Sequence, residues 1–112
     1  RFVVLGDLNA SYRGGDSYGA VIWDLARHKL INDDSIPESE GAHNAGPDKE
    51  FASEHTAAWG MRADYVLPSR AGFEVKGGEV FWPTKEDPNY RLIESREASS
   101  DHRLVWMDLE IK

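Results

Sequence analysis

Phe2-Val3-Val4-Leu5-Gly6-Asp7-Leu8-Asn9 is the stretch on which the fold turns. Four consecutive apolar residues with β-favouring side chains, stopped by a glycine, predict a strand buried on both faces. Asp7 and Asn9 follow at its end, two residues apart, so in extended backbone their side chains share one face. Two later stretches repeat the arrangement of chemistry beside a strand. Arg62-Ala63-Asp64-Tyr65 runs into Val66-Leu67-Pro68, and Ser100-Asp101-His102-Arg103 runs into the alternating segment from Leu104 to Ile111. Acids, an amide and an imidazole are thus placed where a sheet can gather them.

Between these stretches the chain reads as an α/β protein with long loops. Ser17 is a good N-cap, and Val21, Ile22, Leu25 and Ala26 have helical spacing, which predicts one main amphipathic helix from Tyr18 to His28. Asn32 to Gly60 is polar and rich in turn formers, with a short helix expected from Pro47, where Asp48 and Glu50 fall in the first turn. Phe73 to Val75 and Glu79 to Trp82 flank Lys76-Gly77-Gly78, a pattern that fits either a hairpin turn or a bulge in one bent strand. Thr84 to Ser99 is another polar loop, and Leu104 to Ile111 is the final strand.

The 112 residues are 40% hydrophobic and 29% charged, a composition for one globular domain spanning residues 1–112. No apolar run approaches the roughly 20 residues of a membrane helix. The formal charge of -7 counts against a broad duplex-binding surface. The absence of cysteine excludes disulfides and thiolate metal sites and leaves the compartment open. Arg1 to Leu5 enter a strand pattern with no initiator Met, no charged leader and no cleavage site, so the chain is expected to be part of a longer one.

Cleaving a phosphate ester takes a cation to neutralise charge, a group to activate water and donors for the developing oxyanion. Asp7 and Asn9 can supply an acid that takes a proton or a metal and an amide that donates, although an Asp-x-Asn after a strand is equally the composition of an Asx turn. His102 can contact a phosphate oxygen or act as a base near neutral pH. Asp64, in an otherwise apolar strand, needs a partner: either Arg62 or Arg103, or the ring of His102, which it would orient. Arg13 and Arg103, beside the motifs, are the expected phosphate-holding cations. His28, His43 and His55 show no ligand spacing, Gly14-Gly15 lacks the Lys-Ser/Thr of a phosphate loop, and Trp23, Trp59, Trp82 and Trp106 are read as core or sheet-edge packing residues, with a substrate-stacking ring among them as the alternative.

The three motifs, in this order and with these flanks, resemble the endonuclease/exonuclease/phosphatase superfamily over Phe2 to Glu110. The resemblance implies that Asp7 and Asn9 match the water-activating acid and a transition-state-stabilising Asn. It implies that Asp64 supports the histidine, that Asp101 is an acid assigned to metal, and that His102 is the phosphate-contacting or base histidine. The implied fold is the C-terminal half of a four-layer α/β/β/α sandwich with a mixed sheet. The N-terminal half, which in the family carries the principal metal-binding Glu and another catalytic His, has no counterpart by position; Glu38, Glu40, Glu50 and Glu54 lie in the long loop and are not assigned to it.

The resulting expectation is a divalent-metal-dependent phosphoesterase whose isolated C-terminal part is inactive. Asp7, Asn9 and Asp101 are its metal ligands, with Mg²⁺ as the default for hard oxygen donors and Mn²⁺ or Ca²⁺ as alternatives. Its partners are the missing N-terminal half and a phosphate ester: nucleic acid, nucleotide, inositol phosphate or lipid head group. The rival expectation is a non-catalytic phosphate-ligand-binding module that retains the fold.

Overall fold

Two antiparallel strand pairs carry the fold of the computed structural model, which describes residues 1–13, 19–45 and 50–112. Strand β1 (Val3–Asp7) pairs with β2 (Asp64–Pro68), and β3 (Phe73–Val80) pairs with β4 (Val105–Ile111). Helix α1 (Gly19–Ala26) follows β1, and a short helix α2 (Glu40–Ala45) lies between α1 and β2. Short 3₁₀ helices occupy Ala52–Glu54 and Pro88–Leu92. The protein is therefore a small α/β structure. Where a mixed sheet was expected, the pairings among the described residues are antiparallel in both sheets.

Each strand pair has its own small core. Ile22 and Ala26 of α1 pack with Ala10, Tyr12, Ile31, Tyr65 and Leu67, with Val4 and Leu8 closing the edge. Val80 and Trp82 pack with Ala42 and Ile93, flanked by Phe81 and Val105. The run at Phe2 to Leu5 departs from the expectation of burial on both faces. Helix α1 covers the Val4 side, whereas Leu5 on the other face is 68% exposed. A continuous apolar run reports what a strand is able to bury, not whether a second layer is there to bury it.

Helix α1 lies within the predicted span; Ser17 and Tyr18, the predicted cap and first residue, fall outside the described residues. The described residues between Asn32 and Gly60 hold more regular structure than their polarity implies. Ser39 accepts the Ala42 N–H at 3.2 Å and caps α2, with Glu40 in the first turn, where an acid suits the helix dipole. The helix expected at Pro47 and Asp48 lies outside the described residues. Phe73–Val80 forms one strand with a register break between Val75 and Gly77, so the Lys76-Gly77-Gly78 stretch is a bulge rather than a hairpin turn. Strand β4 alternates as its sequence does, Val105, Met107 and Leu109 half-buried against Trp106, Asp108 and Glu110 exposed. Among the described residues no helix is long and apolar enough to cross a membrane.

Gly41 shows why α2 tolerates a poor helix former. It is buried, and a Cβ there would run into the Trp82 carbonyl, so the helix sits on the strand-end backbone at a distance only glycine permits. Gly41→Ala is therefore expected to destabilise the protein by about 1–3 kcal/mol in urea unfolding, the usual cost of overpacking. Gly77→Ala, where a Cβ meets open space, is expected to stay within about 0.5 kcal/mol. Equal stabilities for the two variants would contradict this packing.

Candidate active site

The register of β1 on β2 creates the site. It pairs Val3 with Pro68 and ends by pairing Asp7 with Asp64, setting two carboxylates directly opposite one another. Like charges in cross-strand pairs destabilise a sheet, so this end of the ladder requires compensation. The compensation arrives from the chain just before β4. His102 places Nδ1 at 2.8 Å from Asp64 Oδ2 and Nε2 at 4.0 Å from Asp7 Oδ2. Ligand atoms of Asp7, Asp64 and His102 all lie within 4.8 Å of one another.

An extended segment at Thr56 to Ala58 holds these groups together. Ala57 bridges to both Met61 and His102, the Arg103 N–H donates to the Thr56 carbonyl at 2.7 Å, and the Ala58 N–H donates to the Asp101 carbonyl at 2.8 Å. The Thr56 side chain, fully buried, completes the link. Its hydroxyl donates to Asp64 Oδ2 at 2.7 Å and accepts the N–H groups of Ala63 and Asp64 at 2.9 and 3.1 Å. The Asp64 carboxylate is thereby fixed before it meets the imidazole. Sequence reading missed Thr56. Its side-chain partners are 7 and 8 residues along the chain and its strand partner sits in the last motif, so no local pattern marks it.

The remaining motif residues take varied positions. Asn9 has a left-handed backbone, φ 48°, which asparagine tolerates, and its N–H donates to Asp7 Oδ1 at 2.8 Å. The Asx turn and the acid are therefore the same feature: the turn fixes the Asp7 carboxylate. Gly6 bends the strand just before it with φ 136°, a conformation that side chains disfavour. Asp101 stands beside His102 with its carboxylate 3.8 Å from the Arg96 guanidinium, outside the Asp7, Asp64 and His102 cluster. The Trp59 ring meets His102 edge-on at 5.0 Å.

Both arginines singled out from the sequence are engaged elsewhere. Arg13 grips the buried Glu54 with Nε and Nη2 at 3.0 and 2.9 Å and lies over Phe51, 3.5 Å from the ring centre. Arg103 is buried against Trp82. Its Nη1 donates to the Ser100 carbonyl at 2.9 Å and Nη2 to the Ile93 carbonyl at 3.2 Å, and burial pulls its guanidinium below its ordinary value. Arg103 thus ties down the loop that carries His102.

The hydrogen bond that the His102 ring donates to Asp64 raises the His102 pKa above its ordinary value; burial opposes this, and the charges of Asp64, Asp7 and Asp101 add to it. With the folded-state value above the unfolded one, the stabilisation is fully present below the ordinary histidine pKa and is lost as pH rises through the raised value. NMR titration of His102 in metal-free buffer should give a midpoint above that of a free imidazole, and Asp64→Asn should lower it. A titration unmoved by Asp64→Asn would contradict the coupling.

Thr56→Val strips a donor from Asp64 and takes the acceptor from the buried Ala63 N–H and the part-buried Asp64 N–H, for an expected loss of about 1–3 kcal/mol in unfolding free energy. Thr56→Ser retains the hydroxyl and should cost only about 1 kcal/mol, one buried methyl. Matching losses in the two variants would show that the methyl, not the hydroxyl, carries the contribution.

The model of the Endonuclease/Exonuclease/phosphatase family matches residues 1–102, taking in β1, β2 and His102. Comparison with curated proteins gives no match, and comparison with solved structures gives none either. Members of the family are generally hydrolases that act on phosphate esters, and they typically depend on a divalent metal. With Asp7, Asp64 and His102 brought to one place within a match over most of its length, the chain belongs to the endonuclease/exonuclease/phosphatase family.

Proposed function

We propose that this chain carries the C-terminal part of a metal-dependent phosphoesterase site, with Asp7, Asn9, Asp64, Asp101 and His102 on one phosphate of the substrate. The observation that carries the reading is the opposed pair Asp7 and Asp64 with His102 against both, an arrangement costly to a sheet and suited to holding a water and a phosphate oxygen. Asp64 accepts Nδ1–H and sets the ring, as a base-orienting group does. The Nε2 side then donates to a phosphate oxygen when charged or takes a proton when neutral. Asp7, half-exposed and fixed by the Asn9 N–H, takes a water proton or holds the cation. The Asn9 amide donates to the developing oxyanion.

The donor set fits a hard divalent ion: carboxylate oxygens with an imidazole beside them, in a part of the protein open to solvent. Asp7 and Asn9 would hold it, and Asp101 would join them only by turning from Arg96, with Mg²⁺ as the default and Mn²⁺ or Ca²⁺ as alternatives. When bound it supplies charge neutralisation at the phosphate. Arg13 and Arg103 would join in phosphate binding only by exchanging their present partners, Glu54 for the first and loop carbonyls for the second. The family's further metal-binding Glu and histidine are assigned to an N-terminal half of the same domain, so residues 1–112 alone make a poor catalyst. That half would also cover Leu5.

A panel of phosphodiesters and phosphomonoesters, offered to the full-length protein with Mg²⁺ and with chelator, tests the reading. Metal-dependent turnover is expected, lowered about 10²–10⁴-fold by His102→Ala as for loss of an acid–base group. Asp7→Ala should be at least as damaging. Phosphate binding without turnover on any substrate would favour the non-catalytic binding module, and turnover indifferent to both substitutions would sink the site assignment.

A further inference from the structure

Of the four tryptophans, Trp82 alone is buried, and Trp23 and Trp106 are each 44% exposed. Trp23 stacks on Tyr12 with ring centres 6.1 Å apart, Trp82 is buried beneath the Arg103 guanidinium at 4.7 Å, and Trp106 stands on β4 opposite Glu79. Trp59 is different. It is 49% exposed, and the ring contact it makes is the edge-on one with His102, with an interplanar angle of 80°. An edge-on neighbour covers at most one face of an indole. A large apolar ring is thus left partly in water immediately beside the imidazole of the site.

The turn that carries the ring is also fixed before any ligand arrives. Its turn is closed by the Ala57 to Met61 bridge and by the Gly60 N–H donating to the Ala57 carbonyl at 3.0 Å, with Gly60 at φ 89°. The same turn is tied to the Asp101 carbonyl through the Ala58 N–H. Trp59 and His102 are therefore carried by one hydrogen-bonded unit, and a group stacked on the indole lies next to a phosphate held by the histidine. Preorganisation of this kind lowers the ordering cost of binding.

We infer that Trp59 is a stacking platform for a planar heteroaromatic group on the phosphate ester, so that the substrate class of this site is a nucleotide unit with an unpaired base. The inference rests on the phosphoesterase reading above. An inositol ring or a glycerol head group presents no π face to stack. Asp7, Asp64 and Asp101, in a chain of net charge -7, oppose the gathering of further phosphates, so affinity beyond the reacting phosphate has to come from neutral surface. A base already stacked within a duplex is not available to the indole, which selects a free nucleotide or a single strand.

Calorimetric titration of the full-length protein with Ca²⁺ in place of Mg²⁺, phosphate release being followed in parallel to exclude turnover, tests this with the four nucleoside 5′-monophosphates and base-free ribose 5-phosphate. At least one nucleotide should bind about tenfold tighter than ribose 5-phosphate, within the range for stacking one base on an aromatic ring. Trp59→Ala should collapse that ratio toward one, and Trp59→Phe should retain most of it. A second measurement needs no truncation to alanine: the part of the indole fluorescence lost in Trp59→Phe should be quenched by the favoured nucleotide and not by ribose 5-phosphate. Tighter binding of a single-stranded dinucleotide than of the mononucleotide identifies a nucleic-acid strand as the source; the reverse identifies a free nucleotide. Equal binding with and without a base, a preference that survives Trp59→Ala, or a duplex preferred over its single strand overturns the inference and leaves the phosphoesterase reading standing. Failure of every phosphate ligand to bind overturns that reading, and this inference with it.

Discussion

A buried threonine hydroxyl has one proton and two lone pairs to satisfy, and at Thr56 all three are used inside the site. The proton goes to the Asp64 carboxylate and the lone pairs take the Ala63 and Asp64 N–H groups, while the main-chain carbonyl of the same residue takes the Arg103 N–H from the segment entering β4. One residue thereby joins the acid that begins β2 to the strand that follows the histidine. Two-stranded sheets are marginal on their own, and the cores beneath these two are small. The Thr56 to Ala58 segment, bonded to β2 through its side chain and to the His102 stretch through its backbone, joins them where β2 and β4 also meet directly. No water substitutes for it, since Thr56 has no exposed surface.

That constraint explains how the protein keeps an arrangement its sheet would otherwise reject. Asp7 and Asp64 face each other across the ladder, and an imidazole at hydrogen-bonding distance from one and 4.0 Å from the other supplies the positive charge that relieves them. The relief is conditional on protonation, because His102 bears a charge only below its raised pKa. A cation of any kind between the carboxylates serves the same electrostatic end. Residues whose local energetics are poor and whose surroundings overdetermine them are the usual mark of a site kept for its chemistry. The same reasoning applies to Gly6 and Asn9, whose backbone conformations aim and fix Asp7 at the strand end.

Much was legible along the chain. The alternation of Leu104 to Ile111, the apolar Tyr65-Val66-Leu67 and the helical spacing of Ile22 and Ala26 are local patterns, and β4, β2 and α1 follow them. Other elements were illegible for definite reasons. Helix α2 carries a glycine where propensity argues against a helix, and it forms because Gly41 lets its backbone touch Trp82. The Lys76-Gly77-Gly78 stretch fitted a turn or a bulge equally well until pairing with β4 on both sides of it made it a bulge. Arg13 and Arg103 stood beside the motifs in sequence, but the Arg13 guanidinium went to Glu54, and burial against Trp82 turned the Arg103 guanidinium to loop carbonyls.

The sequence by itself determined which chemistry the protein owns: an acid and an amide after one strand, an acid before another, and an acid and a histidine before the last, in the order that marks the family. These are properties of residue type and spacing, which survive without a fold. Only the tertiary structure decided which of them meet. Strand register set Asp7 against Asp64, the Thr56 segment brought His102 to both, and Asp101 was left facing Arg96. Contacts between residues far apart in the chain depend on how closed loops and paired strands share one space, and no window of sequence holds that information.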